Sequence, residues 1–417
     1  MIEKKVLPGG VRFIYEYIPY VRSASFGVWV GNGSRHEKKS EEGASHFIEH
    51  MVFKGTHSRT AADIAAISDR IGGQINAYTT KECTCFYGRV LDEHLCELVD
   101  VLYDMLKNSK FDDKDIITER NVIFEEIGMY ADTPEDLVIE QLFTGVYKGS
   151  PLSHPILGSR SSLSKMDGNF LKNYMDSHYF AENIVISLSG SFSDRDIDKI
   201  CALFSDYGSG RLKCRPAEYK RCFISKRKNI EQNHICITFP AISSVSPERF
   251  ALTLLSSAFG GAMSSRLFQT VREELGLCYS IYSFPSSYDD LGCFSIYTAL
   301  SRETEERAIG AVLSEISRVL EHGISENELT LAKEQAKAAI LMSLESTSAR
   351  MNRLGRGELV FGQVQSVDET IESYENVTLS DICQIAEKVL DMNALSFSAV
   401  GKVKSADEYR ELIQKSI

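Results

Sequence analysis

The sequence predicts an α+β protein of two similar domains, each an antiparallel-rich sheet with helices packed on one face. Three observations carry this expectation. Short segments alternate with a period of two: RSASFGVWVG places Phe26, Val28 and Val30 on one face and Trp29 on the other. Longer segments repeat apolar residues every three or four positions, as Leu95, Leu98, Val99, Leu102 and Leu106 do. The order of these elements in the first half then recurs in the second, within 417 residues, a length too great for one ordinary core.

The elements follow in order. MIEKKVLPGGVRFIYEY opens in strand-like alternation, and RSASFGVWVG is a strand. A short helix over SHFIEHM comes next, then Ala61–Ile71, with Ile64, Ile67 and Ile71 in a stripe closed by Gly72-Gly73. Residues 74–91 read as two strands around Thr79–Glu82. After the Leu95 helix, Asp112-Asp113 caps a long helix to about Tyr130, and a second starts at Thr133 with Pro134 in its first turn. NIVISLSG is an apolar strand, and a helix over about 193–206 ends the first domain, 1–206. Residues 207–221, YGSGRLKCRPAEYKR, lack periodicity and read as a linker. The second domain, 222–417, repeats the order: strand HICITFPA, helix PERFALTLLSSAFGG, paired strands YSIYSFPSS and GCFSIYTAL, and helices over 302–321, 325–360 and 378–390. The strand ALSFSAVG completes it.

Composition excludes several classes. A net charge of −12 and the lack of a basic stripe with interleaved aromatics argue against nucleic acid as the main partner. No run of about 18 apolar residues predicts a transmembrane helix, and neither a signal core nor a transit segment is visible, so a cytoplasmic protein is expected. Ten scattered cysteines read as reduced thiols, with Cys83 and Cys85 as small residues on one strand face.

The chemistry concentrates at His46-Phe47-Ile48-Glu49-His50. Two histidines at i and i+4 on a helix can converge on one ion, and Glu49, just before the second, flanks that ion as a proton acceptor. A third ligand is needed. On the helix over 113–130, Glu119 and Glu126 share a face with Ile116 and Ile123, whereas Glu125 points elsewhere. Carboxylates set in an apolar stripe are costly unless paired or ligated, so this face reads as ligating rather than solvated.

His46-x-x-Glu49-His50, with Glu126 76 residues after His50 and Glu119 seven before Glu126, lies in EEGASHFIEHMVFKGT, IGGQINAYTTKECTCFYG and ERNVIFEEIGMYADTPED. This combination resembles the pitrilysin/insulinase family of inverted-motif zinc peptidases (M16), across essentially the whole chain. The two-domain length is similar to that of the mitochondrial processing peptidase and its bacterial relatives. The resemblance implies a zinc-dependent endopeptidase acting on short or unfolded, basic peptides, with one Zn2+ per chain. His46, His50 and Glu126 would be the ligands, Glu49 the general base and Glu119 a carboxylate beside the ligands.

It also implies substrate-holding parts. Asn76 and Ala77 would lie on an exposed edge strand that pairs with substrate backbone, although the pattern fits an interior strand equally well. Arg272 and Tyr279, in SSRLFQTVREELGLCYSIYS, would hold substrate and stabilise the oxyanion, where pattern alone reads Arg272 as a surface cation. In two-domain relatives that pair comes from the facing subunit, so a homodimer is expected. Asp136 and Glu140 match acidic positions that read a basic substrate residue, with a solvated acidic face as the equal alternative. The runner-up function is a non-catalytic structural or binding subunit of the same family. Such subunits usually lack part of the motif, which is complete here.

Overall fold

The computed structural model describes residues 2–212 and 214–416. The first half supplies β1 (Ile2–Val6), β2 (Arg12–Tyr17), β3 (Ser23–Val30), β4 (Gln74–Thr79), β5 (Thr84–Leu91) and β6 (Ile184–Gly190). Its helices are α1 (Ala44–Met51), α2 (Ala61–Arg70), α3 (Leu95–Asn108), α4 (Asp113–Asp132), α5 (Pro134–Val146), α6 (Arg160–Leu163), α7 (Gly168–His178) and α8 (Asp194–Phe204). The six strands form one sheet in the order β1-β2-β6-β3-β5-β4, in which only β2 and β6 run parallel.

The second half supplies β7 (Phe223–Arg227), β8 (Asn233–Ala241), β9 (Cys278–Ser287), β10 (Gly292–Leu300) and β11 (Ser396–Gly401). Its helices are α9 (Arg249–Ser256), α10 (Glu305–His322), α11 (Glu326–Ser343), α12 (Thr347–Phe361), α13 (Val367–Glu375), α14 (Leu379–Val389) and α15 (Ala406–Ser416). The strand order, β7-β11-β8-β10-β9, matches β2-β6-β3-β5-β4 position by position, including the single parallel pair. The duplication expected from element order is therefore present in strand order and direction, and β1 is an addition to the first sheet.

In each sheet period-two alternation separates two faces. Phe13, Phe26, Val28, Phe86 and Ile186 join the helical core around Phe47, Leu98 and Leu102. Ile235, Ile237, Phe294 and Phe397 do the same with Leu255, Ile309 and Ile382. The opposite faces each receive one helix. Trp29, Ile14, Cys85 and Val185 pack on Met351 and Leu354 of α12, whereas Cys236, Cys293, Tyr297 and Val400 pack on Val138, Leu142 and Val146 of α5. By packing, therefore, residues 1–127, 154–215 and 342–365 form one compact unit, and 128–153, 216–341 and 366–417 the other. The two halves have exchanged a helix.

This exchange explains one departure from expectation. The helix predicted over 325–360 is two: α11 ends at Ser343 and α12 starts at Thr347, capped by the Ser346 hydroxyl, which accepts the Ala349 N–H. Just before that break, between Leu341 and Met342 in the last turn of α11, the chain passes from one unit to the other. Strand β7 and helices α6, α7, α13 and α15 were not among the expected elements.

Candidate metal centre

Helix α1 is only eight residues long and is held at both its start and its buried face. Gly43, at φ 91°, turns the chain into it where a side chain would strike Leu157 and Gly158. The buried Glu37 carboxylate accepts the N–H groups of Gly43 and Ser45, both at 2.8 Å, which satisfies donors that the helix start leaves open. Burial pushes Glu37 up to about 7 against these hydrogen bonds. Ala44, Phe47, Ile48 and Met51 lock the helix into the core. That leaves His46, Glu49 and His50 together on its other side.

Helix α4 brings the carboxylates. Ile116, Glu119 and Ile123 are buried on one face, Glu126 is half-buried next along it, and Glu125 is exposed, as the spacing predicts. Glu126 Oε2 lies 3.5 Å from His46 Nε2 and 3.6 Å from His50 Nε2. One ligand atom from each of the three residues falls within 4.8 Å of the others. The other nitrogen of His50, Nδ1, meets Glu119 Oε2 at 3.2 Å, and Glu119 Oε1 takes Lys54 Nζ at 2.7 Å. Glu49 is turned to the edge strand β4, where Thr79 donates its hydroxyl to Oε2 at 2.5 Å.

The donor set fits zinc. Ligands about 2.0–2.2 Å from a tetrahedral zinc stand about 3.3–3.6 Å apart, which the two separations from Glu126 match. His46 is buried with Nδ1 lacking a hydrogen-bond partner among the described residues, while Nε2 faces Glu126. Burial, with His50 adding, holds His46 down at about 4, so it is a neutral imidazole with a lone pair to give. Burial also acts against a charged His50, but hydrogen bonds to Glu126 and Glu119 outweigh it and raise its pKa. The same two carboxylates draw a cation to the cluster. Hydrogen bonding to His50 lowers Glu126, and burial raises Glu49 despite its bond to Thr79. The chain thus holds a single zinc-binding site among its described residues, with Glu119 oriented by Lys54 to hold His50 from behind. Sequence reading missed Lys54 and the Thr79 hydroxyl, which reach the site only through tertiary packing.

The remaining expected residues fall into two places. Asn76 and Ala77 lie on β4, which is an edge strand paired only with β5. There the Ala77 N–H donates to Asn76 Oδ1 at 2.8 Å. Arg272 and Tyr279 belong to the second unit and come together: the guanidinium carbon sits 4.4 Å from the Phe268 ring centre and 5.9 Å from that of Tyr279. Tyr279 is 75% exposed on edge strand β9. Asp136 and Glu140 are on α5, in the same unit, and burial and the neighbouring Glu135 raise Asp136.

Comparison with known proteins agrees. Residues 12–160 match the family model described as insulinase (peptidase family M16), and 165–336 match the peptidase M16 inactive domain. The chain is 39% identical to an uncharacterized zinc protease of Bacillus subtilis, YmxG, over 93% of this chain and 96% of that relative. A zinc protease of Rickettsia felis is 36% identical over 94% and 96%. The same fold occurs in a peptidase M16 inactive domain from Pseudomonas fluorescens (TM-score 0.90, 19% identity, 97% and 99% covered). It also occurs in a chain of complex III2 from Candida albicans (TM-score 0.84, 18% identity, 99% of both chains covered).

Proposed function

The chain belongs to peptidase family M16, the insulinase family, and from that premise we propose how its residues divide the work of a zinc endopeptidase. The observation that carries the proposal is the convergence of His46, His50 and Glu126 beside a Glu49 that does not join them and is held by Thr79 instead. His46, His50 and Glu126 hold the zinc, which when bound supplies the Lewis acidity that makes water a competent nucleophile near neutral pH. Glu49 is the general base. It takes the proton from the attacking water and delivers it to the leaving amine, a role suited to a carboxylate raised by burial. Glu119 fixes the His50 ring by accepting at Nδ1.

The free edge of β4 aligns the substrate backbone, with Asn76 releasing the Ala77 N–H to it. Arg272 and Tyr279 donate to the developing oxyanion. Tyr279 is too exposed to serve the packing of its own unit, which supports its contribution to the site of a second copy in a homodimer. Asp136 and Glu140, four apart on α5, favour basic substrates, short or unfolded. The division into a catalytic domain at 1–206, a linker at 207–221 and a second domain at 222–417 follows the repeat of strand order. No helix among the described residues is long and apolar enough to cross a membrane. The scattered cysteines, read as reduced thiols, support work in the reducing cytoplasm.

The test is cleavage of a fluorogenic basic peptide by the protein and by Glu49→Gln, with zinc quantified in both. The expected result is a loss of about 10²–10⁴-fold with zinc retained. A wild type that holds zinc yet cleaves no member of a broad peptide library would instead make the chain a binding subunit.

A further inference from the structure

The second unit contains an open surface cleft of about 460 Å³ whose lining is unlike the rest of this acid-rich chain. Four cations line it, Arg227, Lys228, Arg302 and Lys402, and no carboxylate does. Its place in the fold is specific. Strands β7 and β11 are parallel, and β10 shares their direction because both β10 and β11 are antiparallel to β8. The cleft lies just past the carboxyl ends of these three strands: Arg227 ends β7, Lys402 follows β11, and Arg302 comes two residues after β10.

The backbone beneath the lining is fixed, and from it Arg227, Arg302 and Lys402 project as exposed side chains while Lys228 is half-buried. The Lys402 N–H donates to the side chain of Asn233 at 2.7 Å, and Asn233 is itself buried. Gly401, at φ 138°, lets that loop pass where a side chain would strike Asn233. Lys228 is partly neutralised by Asp132 Oδ1 at 3.0 Å. Among the described residues, the side chains of Arg227, Arg302 and Lys402 form no ion pair within 4 Å. Glu303 and Glu408 feel these cations but lie outside the lining, each held by hydrogen bonds to its own surroundings.

The first sheet provides an internal control. The bond from the Lys228 N–H to Gly401 O (2.9 Å) is repeated there from the Ile18 N–H to Gly190 O (2.8 Å). Yet by ladder register the positions matching Arg227, Lys228, Arg302 and Lys402 are Tyr17, Ile18, Asp92 and Ser191, and Asp92 is taken up by Arg22 and by the Ser191 hydroxyl. The fold does not require cations at this place.

We propose that this cleft binds a small anion with two or more phosphate groups. The volume is that of a small-molecule site. Two guanidinium forks match the oxygens of a phosphate, and the lysines add point charge. No aromatic ring lines the cleft to stack a base, so the phosphate chain is what is recognised. A net charge of −12 disfavours a long nucleic acid.

The test is calorimetric titration of the zinc-loaded full chain with tripolyphosphate at low salt. Alongside run the double variant Arg302→Glu/Lys402→Glu and the control Lys165→Glu/Lys172→Glu, which changes charge equally at exposed sites of the first unit. All three proteins carry the same zinc, so heat from chelation cancels in the comparison. One-to-one binding is expected, weakened at least about tenfold in the double variant and less than about twofold in the control. Melting curves verify folding, and Lys402→Met alone gives a milder variant expected to weaken binding about threefold. ATP binding as tightly as tripolyphosphate assigns the site to the phosphate chain alone, and ATP binding about tenfold tighter assigns it to nucleotides. Equal affinity of wild type and double variant, or no one-to-one binding below about 1 mM, overturns the proposal.

Discussion

Helices α1 and α9 occupy the same place in two sheets of the same strand order, and only one of them carries chemistry. Helix α1, ASHFIEHM, buries four apolar residues and presents His46, Glu49 and His50. Helix α9, RFALTLLS, buries Ala251, Leu252, Leu254 and Leu255 and presents no metal-binding side chain. The long helices α4 and α11 differ likewise: α4 buries Glu119 between isoleucines, whereas α11 buries Leu329 and Ala332. The duplicated architecture is thus a scaffold, and the activity is a handful of side chains placed on one copy. The second copy is specialised in another way, with a half-buried Arg272 beside an exposed Tyr279 and a cleft lined by four cations.

The largest expected effect separates the two copies by complementation. His50→Ala removes a ligand from the first unit, and Arg272→Ala removes a donor from the second. Each variant is expected to lose at least about a hundredfold in peptide cleavage. If each unit of one chain completes the site of the other, mixing and re-equilibrating them forms hybrid dimers with one intact site. Random pairing then restores about a quarter of wild-type activity per chain. No recovery in stable mixed dimers would mean that both parts act within one chain.

A smaller effect belongs to the first copy alone. Lys54→Met frees Glu119, which then holds the His50 ring less firmly, so zinc affinity is expected to fall about tenfold in chelator competition. Unchanged affinity would remove Lys54 from the site.

The smallest effect concerns the exchanged helices, each of which presses a glycine on its sheet. A side chain at Gly355 of α12 would run into the Trp29 ring, and one at Gly145 of α5 into the ends of Ile224 and Cys222. The buried Trp29 ring cannot yield as an isoleucine methyl can. Gly355→Ala is therefore expected to cost about 2 kcal/mol in denaturant melts and Gly145→Ala about 1 kcal/mol or less. Equal costs would argue that the two exchanged helices are packed alike.

Much of this was legible in the residues. The metal helix, the shared face of Glu119 and Glu126, and the repeated order of elements are local spacings of three, four and seven, which periodicity exposes directly. The exchange was not. The patterns of α5 and α12 show that one face of each is buried, but not which sheet buries it. The break between α11 and α12 carries neither glycine nor proline, and only Ser346 signals the new start. Lys54 and Thr79 reach Glu119 and Glu49 across 65 and 30 residues of sequence, so no local pattern marks them.

The central claim is that only the first copy binds metal. Anomalous diffraction at the zinc edge from zinc-loaded crystals tests it most directly. The account predicts one peak per chain, enclosed by His46, His50 and Glu126, and none against α9 or the second sheet. A peak elsewhere, or none in a protein that cleaves peptides, would contradict it.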